Sequence, residues 1–348
     1  MPKNYEQLIS HELTTEYCLQ RAKVQHALDN PNSAESNLLY RMVAEEMARR
    51  EPPLLIPYVE ICISPQCTLN CRDCANFMQY YYKPQPMNLE QVWSWMDAFL
   101  EAIDAALTVR VMGGEPLMQK QLPELMRRLL AHPKVQHTQI VTNGTLEPKD
   151  DLLNLMQANR QYCSFFFSRY GSKLAPRFDE FTQKCLRHGL MVQAPEDNKQ
   201  WFDMGDTSSR HRSVKELTEA YQKCPNNCRH IWNGEFHHCP RSAHGKYLGL
   251  IDMPETDYVP LMTLDTATRR ERIRTMYDLP YITACNHCGL MPETHYVPPA
   301  IQADRAQSRV LGEKLAKMRE EKQQLQLRLQ ELQSCTCKSS FTTVEGKR

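Results

Sequence analysis

Between residues 58 and 194, short apolar runs alternate with longer amphipathic stretches, and this alternation limits the possible fold more than any other feature of the chain. The runs YVEICI (58–63), TVRVM (108–112), QIVT (139–142), CSFFFS (163–168) and LMVQA (190–194) have the length and apolar content of buried strands. Residues 88–106, 119–131, 148–158 and 173–188 place apolar residues at helical spacing between them. Strands separated by whole helices pair in parallel through crossovers, so the expected fold is α/β with a parallel sheet. Five strands are visible before residue 200; a sixth is not evident.

The flanks differ. Leu39, Met42, Val43 and Met47 repeat at helical spacing until Pro52-Pro53 stops the helix. After about residue 205 the periodicity fades, and prolines, histidines and cysteines crowd the chain to Pro299, the composition of a small metal-stapled module. Leu311, Leu315, Met318, Leu325, Leu329 and Leu332 then fall on heptad a/d positions, with Lys322 as the polar exception, which predicts a coiled coil or a helix docked on its own protein. The expected division is a helical extension (1–53), an α/β unit (54–205), a Cys-rich module (206–300), a coiled-coil helix (301–334) and a polar tail (335–348).

Lysine plus arginine number 42 against 41 acids, which gives no reason to expect a nucleic acid or an anionic membrane as partner. No apolar run approaches the ~18 residues of a membrane span, and the N-terminal segment lacks the apolar core of a signal peptide, so a cytoplasmic protein is expected. Thiols stay reduced there, and the 14 cysteines are therefore read as metal ligands first. Seven fall into patterns; Cys18, Cys62, Cys163, Cys185, Cys228, Cys335 and Cys337 do not.

Cys67, Cys71 and Cys74 lie in the loop after the first strand with C-x3-C-x2-C spacing. Three thiolates can hold three irons of a four-iron cluster and leave one iron open, or hold zinc with a distant fourth ligand. Gly113-Gly114-Glu115-Pro116 follows the second strand. Two glycines allow close backbone approach to a ligand, and the glutamate can accept from an ammonium group. Ligands collect at the carboxyl ends of parallel strands, so both loops should face one pocket.

These two loops resemble the cluster loop and methionine-binding loop of the radical S-adenosylmethionine (radical SAM) superfamily. The resemblance implies a partial (βα)6 barrel, a [4Fe-4S] cluster that cleaves S-adenosylmethionine, and a reductant such as flavodoxin or ferredoxin. It implies that Cys67, Cys71 and Cys74 hold three irons, that methionine's amino and carboxylate groups take the fourth, and that Gly113, Gly114 and Glu115 line the amino group, with Pro116 in the same cofactor-binding loop. Ser168 would meet the ribose and Arg169 the carboxylate. One position departs: the residue before the third cysteine is usually aromatic in the family, and here it is Asp73.

Cys224 and Cys239 frame a C-x9-G-x4-C pattern around Gly234, and Cys285 and Cys288 form a C-x2-C. Four thiolates suit zinc or an iron–sulfur cluster. The pattern resembles the twitch domain, a shortened SPASM extension, which implies one auxiliary [4Fe-4S] cluster; Cys228 could replace Cys224. His230, Trp232, His237, His238, His244, His287 and His295 crowd the same segment.

The resemblance implies a dehydrogenase-like radical oxidoreductase that passes an electron to the auxiliary cluster. A small polyol, sugar or cyclitol is the expected substrate. The alternatives are a peptide or protein maturase and a non-catalytic metal scaffold. Trp201 to Gly205 could line the substrate mouth, with Asp203 as a hydroxyl ligand or base. Self-association through 304–333 is a further expectation.

Overall fold

A computed structural model describes residues 53–195, 200–224, 228–290 and 295–338. The expected N-terminal helix and the tail beyond Lys338 lie outside the described residues. The central sheet is parallel, as the alternation requires. Strands β1 (Leu55–Ile56), β2 (Val59–Cys62), β3 (Ala105–Met112), β4 (Val135–Thr142), β5 (Cys163–Phe167) and β6 (Met191–Gln193) are joined by helices α1 (Leu89–Ala102), α2 (Leu122–Ala131), α3 (Asp150–Ala158) and α4 (Phe178–Arg187). The sequence runs place each of β2 to β6, and each helix falls within its predicted stretch. The first of them opens where a cap sets it: Asn88 accepts from the Gln91 N–H at 3.1 Å to start α1.

β2 to β6 stand in sequential parallel order. Their residues alternate between two faces. Val59, Ile61, Val109, Val111, Ile140, Phe165 and Phe167 are fully buried in the main apolar core with the helices. The other face is polar: Glu60, Arg110 and Gln139 are register partners or neighbours across β2, β3 and β4. Arg110 Nε donates to Gln139 Oε1 at 2.6 Å, and its guanidinium lies between the rings of Tyr58 and Phe166.

The sixth parallel strand is β8 (His230–Trp232), which follows the short β7 (Trp201–Phe202) and helix α5 (Val214–Gln222). It lies beside β2, on the side away from β6, with Glu60 opposite His230. Three residues inside a His- and Cys-rich stretch carry no readable periodicity, which is why the sequence hides it. Antiparallel β9 (Glu235–His237) and β10 (Tyr258–Pro260) extend the same sheet. Strands of the Cys-rich segment thus continue the barrel sheet, while Ile251, Met253, Ile282 and Ala284 make a second small core against Cys239 and Cys285. Helices α6 (Pro240–Tyr247) and α7 (Thr266–Met276) and strand β11 (Tyr296–Val297), which pairs with β7, complete this part.

The last helix, α8, runs Arg305–Lys338. Its first turns dock on the loop after the cysteine triplet. A Cβ on Gly312 would stand 2.8 Å from the Tyr80 carbonyl, and Leu315 is buried. Leu325 and Leu329 are exposed. No helix of the described residues is long and apolar enough to cross a membrane.

Candidate active site

At the carboxyl ends of β2 to β5 lies a cavity of about 380 Å³. Cys67, Cys71 and Cys74 line it together with Gly113, Gly114, Thr142, Asn143 and Ser168. The two glycines serve the loop itself. A Cβ on Gly113 would run into the Ser64 carbonyl, and one on Gly114 would run into that of Gln66 and stand 2.8 Å from the Cys67 Cβ. The Gly114 N–H donates to Ser64 O at 2.9 Å and the Glu115 N–H to Gln66 O at 2.7 Å, so the glycine turn and the cysteine loop are stitched backbone to backbone. Neither glycine has a positive φ; close approach alone demands them.

Burial pushes the Cys67 and Cys71 thiols up to about 12 each. Cys74 is raised too, again by burial, but three backbone N–H groups, of Met78, Asn76 and Phe77, point at its sulfur and favour the thiolate. Asn143 Nδ2 donates to Cys67 Sγ at 3.7 Å, and Gln302 Nε2 donates to Cys71 Sγ at 3.4 Å. Three half-buried thiols on one wall, each with a donor aimed at it, fit the thiolate ligand set of an iron–sulfur cluster.

Glu115 is buried, and its carboxylate accepts from Thr142 Oγ1 (2.8 Å), the Asn143 N–H (2.8 Å) and the Leu117 N–H (3.0 Å). It ties the end of β3 to the end of β4. Burial pushes its pKa up to about 7 against the pull of those donors. Pro116 opens a short 3-10 turn behind it. Ser168 lines the cavity, whereas Arg169 turns to Asp179 (3.2 Å) and to the Phe178 ring.

Asp73 also lines the cavity and pairs with Arg72 at 3.0 Å. The aromatic wall comes from elsewhere. Tyr170, Trp201 and Phe202 line the cavity, with the Tyr170 and Trp201 rings 5.4 Å apart, edge to face. Tyr170 lies within electrostatic reach of all three thiols. Asp203 accepts from the Gly205 N–H at 2.8 Å, which makes it a turn residue in this structure.

The chain's C-terminal part closes the cysteine loop from the other side. The Arg72 N–H donates to Ile301 O and the Ala303 N–H to Asn70 O, both at 2.7 Å, and Arg305 Nη2 donates to Thr68 O at 2.9 Å. Nothing in the sequence pairs these segments, 231 residues apart at Cys71 and Gln302.

The second cysteine set also converges. Cys239 lies within electrostatic reach of Cys285, Cys288 and Cys224, and Cys285 of Cys224 and Cys288. Burial pushes Cys239 and Cys285 up to about 12 each. Cys239 caps α6, accepting from the Ser242 N–H at 3.4 Å. Cys228 faces Glu60 and also lies within electrostatic reach of Cys239. Arg241, buried, donates to the carbonyls of His287 and Gly205 at 3.0 Å each, and its guanidinium lies 4.9 Å from the centre of the Phe77 ring. Phe77 belongs to the turn that points its N–H at Cys74, so Arg241 joins the two cysteine sets.

The family model of the radical SAM superfamily matches residues 61–167, from β2 through β5, the stretch that holds the triplet and the glycine turn. This stretch is a radical SAM domain. Over 91 residues the chain is 31% identical to a GTP 3′,8-cyclase of Ectopseudomonas mendocina, covering 26% of this chain and 27% of that protein. A GTP 3′,8-cyclase of Pelotomaculum thermopropionicum is 32% identical over 95 residues, 27% of this chain and 29% of its own. The chain thus spans little more than a quarter of the length of these relatives. Among solved structures, BtrN in complex with AdoMet and 2-DOIA is 16% identical with a TM-score of 0.40, covering 67% of this chain and 92% of that one. Streptococcus suis SuiB bound to S-adenosylmethionine is 19% identical with a TM-score of 0.32, covering 46% of this chain and 36% of that one. The radical SAM domain implies S-adenosylmethionine and a [4Fe-4S] cluster, and the thiol wall is where the cluster would be held.

Proposed function

We propose that this chain is a radical SAM oxidoreductase that oxidises a small polyol, sugar or cyclitol, with Cys67, Cys71 and Cys74 holding the cleaving cluster and Cys224, Cys239, Cys285 and Cys288 holding an auxiliary [4Fe-4S] cluster. Cys67, Cys71 and Cys74 would hold the cluster beside S-adenosylmethionine, which together would supply the radical chemistry that removes a hydrogen atom from a carbinol carbon. Oxidation then requires that the substrate lose its hydroxyl proton and one electron, and the second thiol set would hold the acceptor.

The observation that carries this reading is the convergence of the four thiols, joined to the first set through Arg241 and Phe77. Arg241 and Arg212 add positive charge beside them: Arg212 Nη1 donates to the Cys285 carbonyl, and Arg241 lies within electrostatic reach of Cys288 and Cys239. Positive charge stabilises a cluster that gains an electron. Gly113, Gly114 and Ser168 would line the methionine and ribose ends of the cofactor, and Tyr170, Trp201 and Phe202 would offer the adenine surface that Asp73 does not.

The test is deuterium transfer. Iron-loaded protein is given S-adenosylmethionine, dithionite and deuterated polyols and cyclitols in one series, peptides in another. Deuterium in 5′-deoxyadenosine from the first series alone supports the proposal. Transfer from peptides alone assigns the chain to protein or peptide maturation.

A further inference from the structure

Cys62, His230 and His244 arrive from three different elements, β2, β8 and α6, and their ligand atoms lie within 4.8 Å of one another in a fully buried position. The two imidazoles present Nε2 to Nε2 at 3.0 Å. Each is held from behind through its other nitrogen. His230 Nδ1 stands 3.3 Å from Glu60 Oε2, and His244 Nδ1 stands 2.7 Å from the Tyr81 hydroxyl. Glu60 Oε2 faces His230 Nδ1, so an Nδ1–H donated to that carboxylate would leave the His230 Nε2 lone pair turned inward. The Cys62 sulfur has one weak contact, 3.9 Å to the Ser64 carbonyl.

Two imidazoles and a thiol around one point, with carboxylate and hydroxyl partners fixing the outer nitrogens, is the arrangement that orients metal ligands. We propose that Cys62, His230 and His244 bind a single zinc-class divalent ion, separate from both cysteine clusters. The donor set is borderline-soft, two nitrogens and one sulfur, which suits zinc and excludes calcium and magnesium. A bound dication would take His244 as a neutral imidazole and deprotonate the Cys62 thiol. With the ion in place Tyr81 accepts from His244 Nδ1–H, and both Nε2 lone pairs turn to the metal. The ion would join the strand that carries the cysteine triplet to β8 and α6, the elements that carry the second thiol set.

Zinc and iron are counted in the full-length protein reconstituted anaerobically with iron and sulfide and then supplied with zinc, and X-ray absorption is measured at the zinc edge. The expected result is one zinc beyond the cluster iron, with one sulfur neighbour at about 2.3 Å and nitrogen neighbours at about 2.0–2.1 Å. His244→Ala and Cys62→Ser should each lose that zinc and keep their iron, whereas Cys285→Ala should keep the zinc. A protein with full iron and no zinc overturns the proposal and leaves the residues as a hydrogen-bonded histidine pair, with Tyr81 donating to His244 and His244 to His230. Zinc with four sulfur neighbours also overturns it, by placing the ion in the second cysteine set. The absorption result on the unmodified protein stands even if a variant fails to fold.

Discussion

Gln302 Nε2 donates to Cys71 Sγ at 3.4 Å, and its Oε1 accepts from the Asn70 N–H at 2.8 Å. A residue just before the last helix therefore grips the cluster loop by backbone and sulfur at once. A donor aimed at a ligating sulfur stabilises the more negative, reduced cluster. Gln302→Leu should leave iron binding intact and move the potential of the first cluster to a more negative value. A differential of about 1.4 kcal/mol corresponds to ~59 mV for one electron. A redox titration followed by electron paramagnetic resonance reads the shift directly, and an unchanged potential would show that the contact does not tune the cluster.

The glycine turn makes a second, steric claim. Gly114→Ala places a methyl group against the Gln66 carbonyl and the Cys67 Cβ, and neither neighbour is a flexible side-chain end. Overpacking of this kind costs about 1–3 kcal/mol. The variant should unfold at lower temperature and retain less iron at the first site than Cys285→Ala does. Iron content and a melting curve on the two variants check this.

Glu115 makes the stability depend on pH. Burial raises its folded pKa to about 7 from an ordinary 4.5, so between those values the folded chain binds more protons than the unfolded one. Stability from this group is fully present below about 4.5 and is lost as pH rises through about 7. At 1.36 kcal/mol per pKa unit the loss is about 3 kcal/mol. Denaturant titrations of the wild type and Glu115→Gln across this window isolate it: the difference between them should change with pH in that sense and level off above 7. A flat difference would mean that the Thr142, Asn143 and Leu117 donors keep Glu115 ionised throughout.

Arg241 links the two thiol sets through its contact with Phe77. Arg241→Gln removes positive charge beside Cys288 and Cys239, so it should slow substrate oxidation roughly tenfold, the equivalent of about 1.4 kcal/mol in the barrier. Cleavage of S-adenosylmethionine in the absence of substrate should be unchanged. Rates of both, measured on one preparation, separate a role at the second set from general damage.

Much of the barrel was legible because its information is local. Strand runs and helical spacing repeat within about twenty residues, and β2 to β6 with α1 to α4 follow them. The cysteine triplet and the glycine turn were legible for a related reason, since each is one short loop at a strand end. What stayed hidden depends on distant pairing. Gln302 reaches Cys71 across 231 residues, and His230 reaches Glu60 across 170. Tyr170 was hidden because a tyrosine after a strand has no signature, and Cys62 because it reads as one more apolar strand residue until β8 and α6 bring His230 and His244 to it. Gly113 and Gly114 were found for an incomplete reason: their absent side chains make room for the cysteine loop's own carbonyls.

The account turns on whether the cavity wall of Cys67, Cys71 and Cys74 supports reductive cleavage of S-adenosylmethionine. Anaerobically reconstituted protein, with its iron counted, is mixed with S-adenosylmethionine and dithionite, and 5′-deoxyadenosine is quantified. The wild type and Cys285→Ala should both form it, and Cys71→Ala should not. Iron-loaded wild-type protein that forms none would contradict the account.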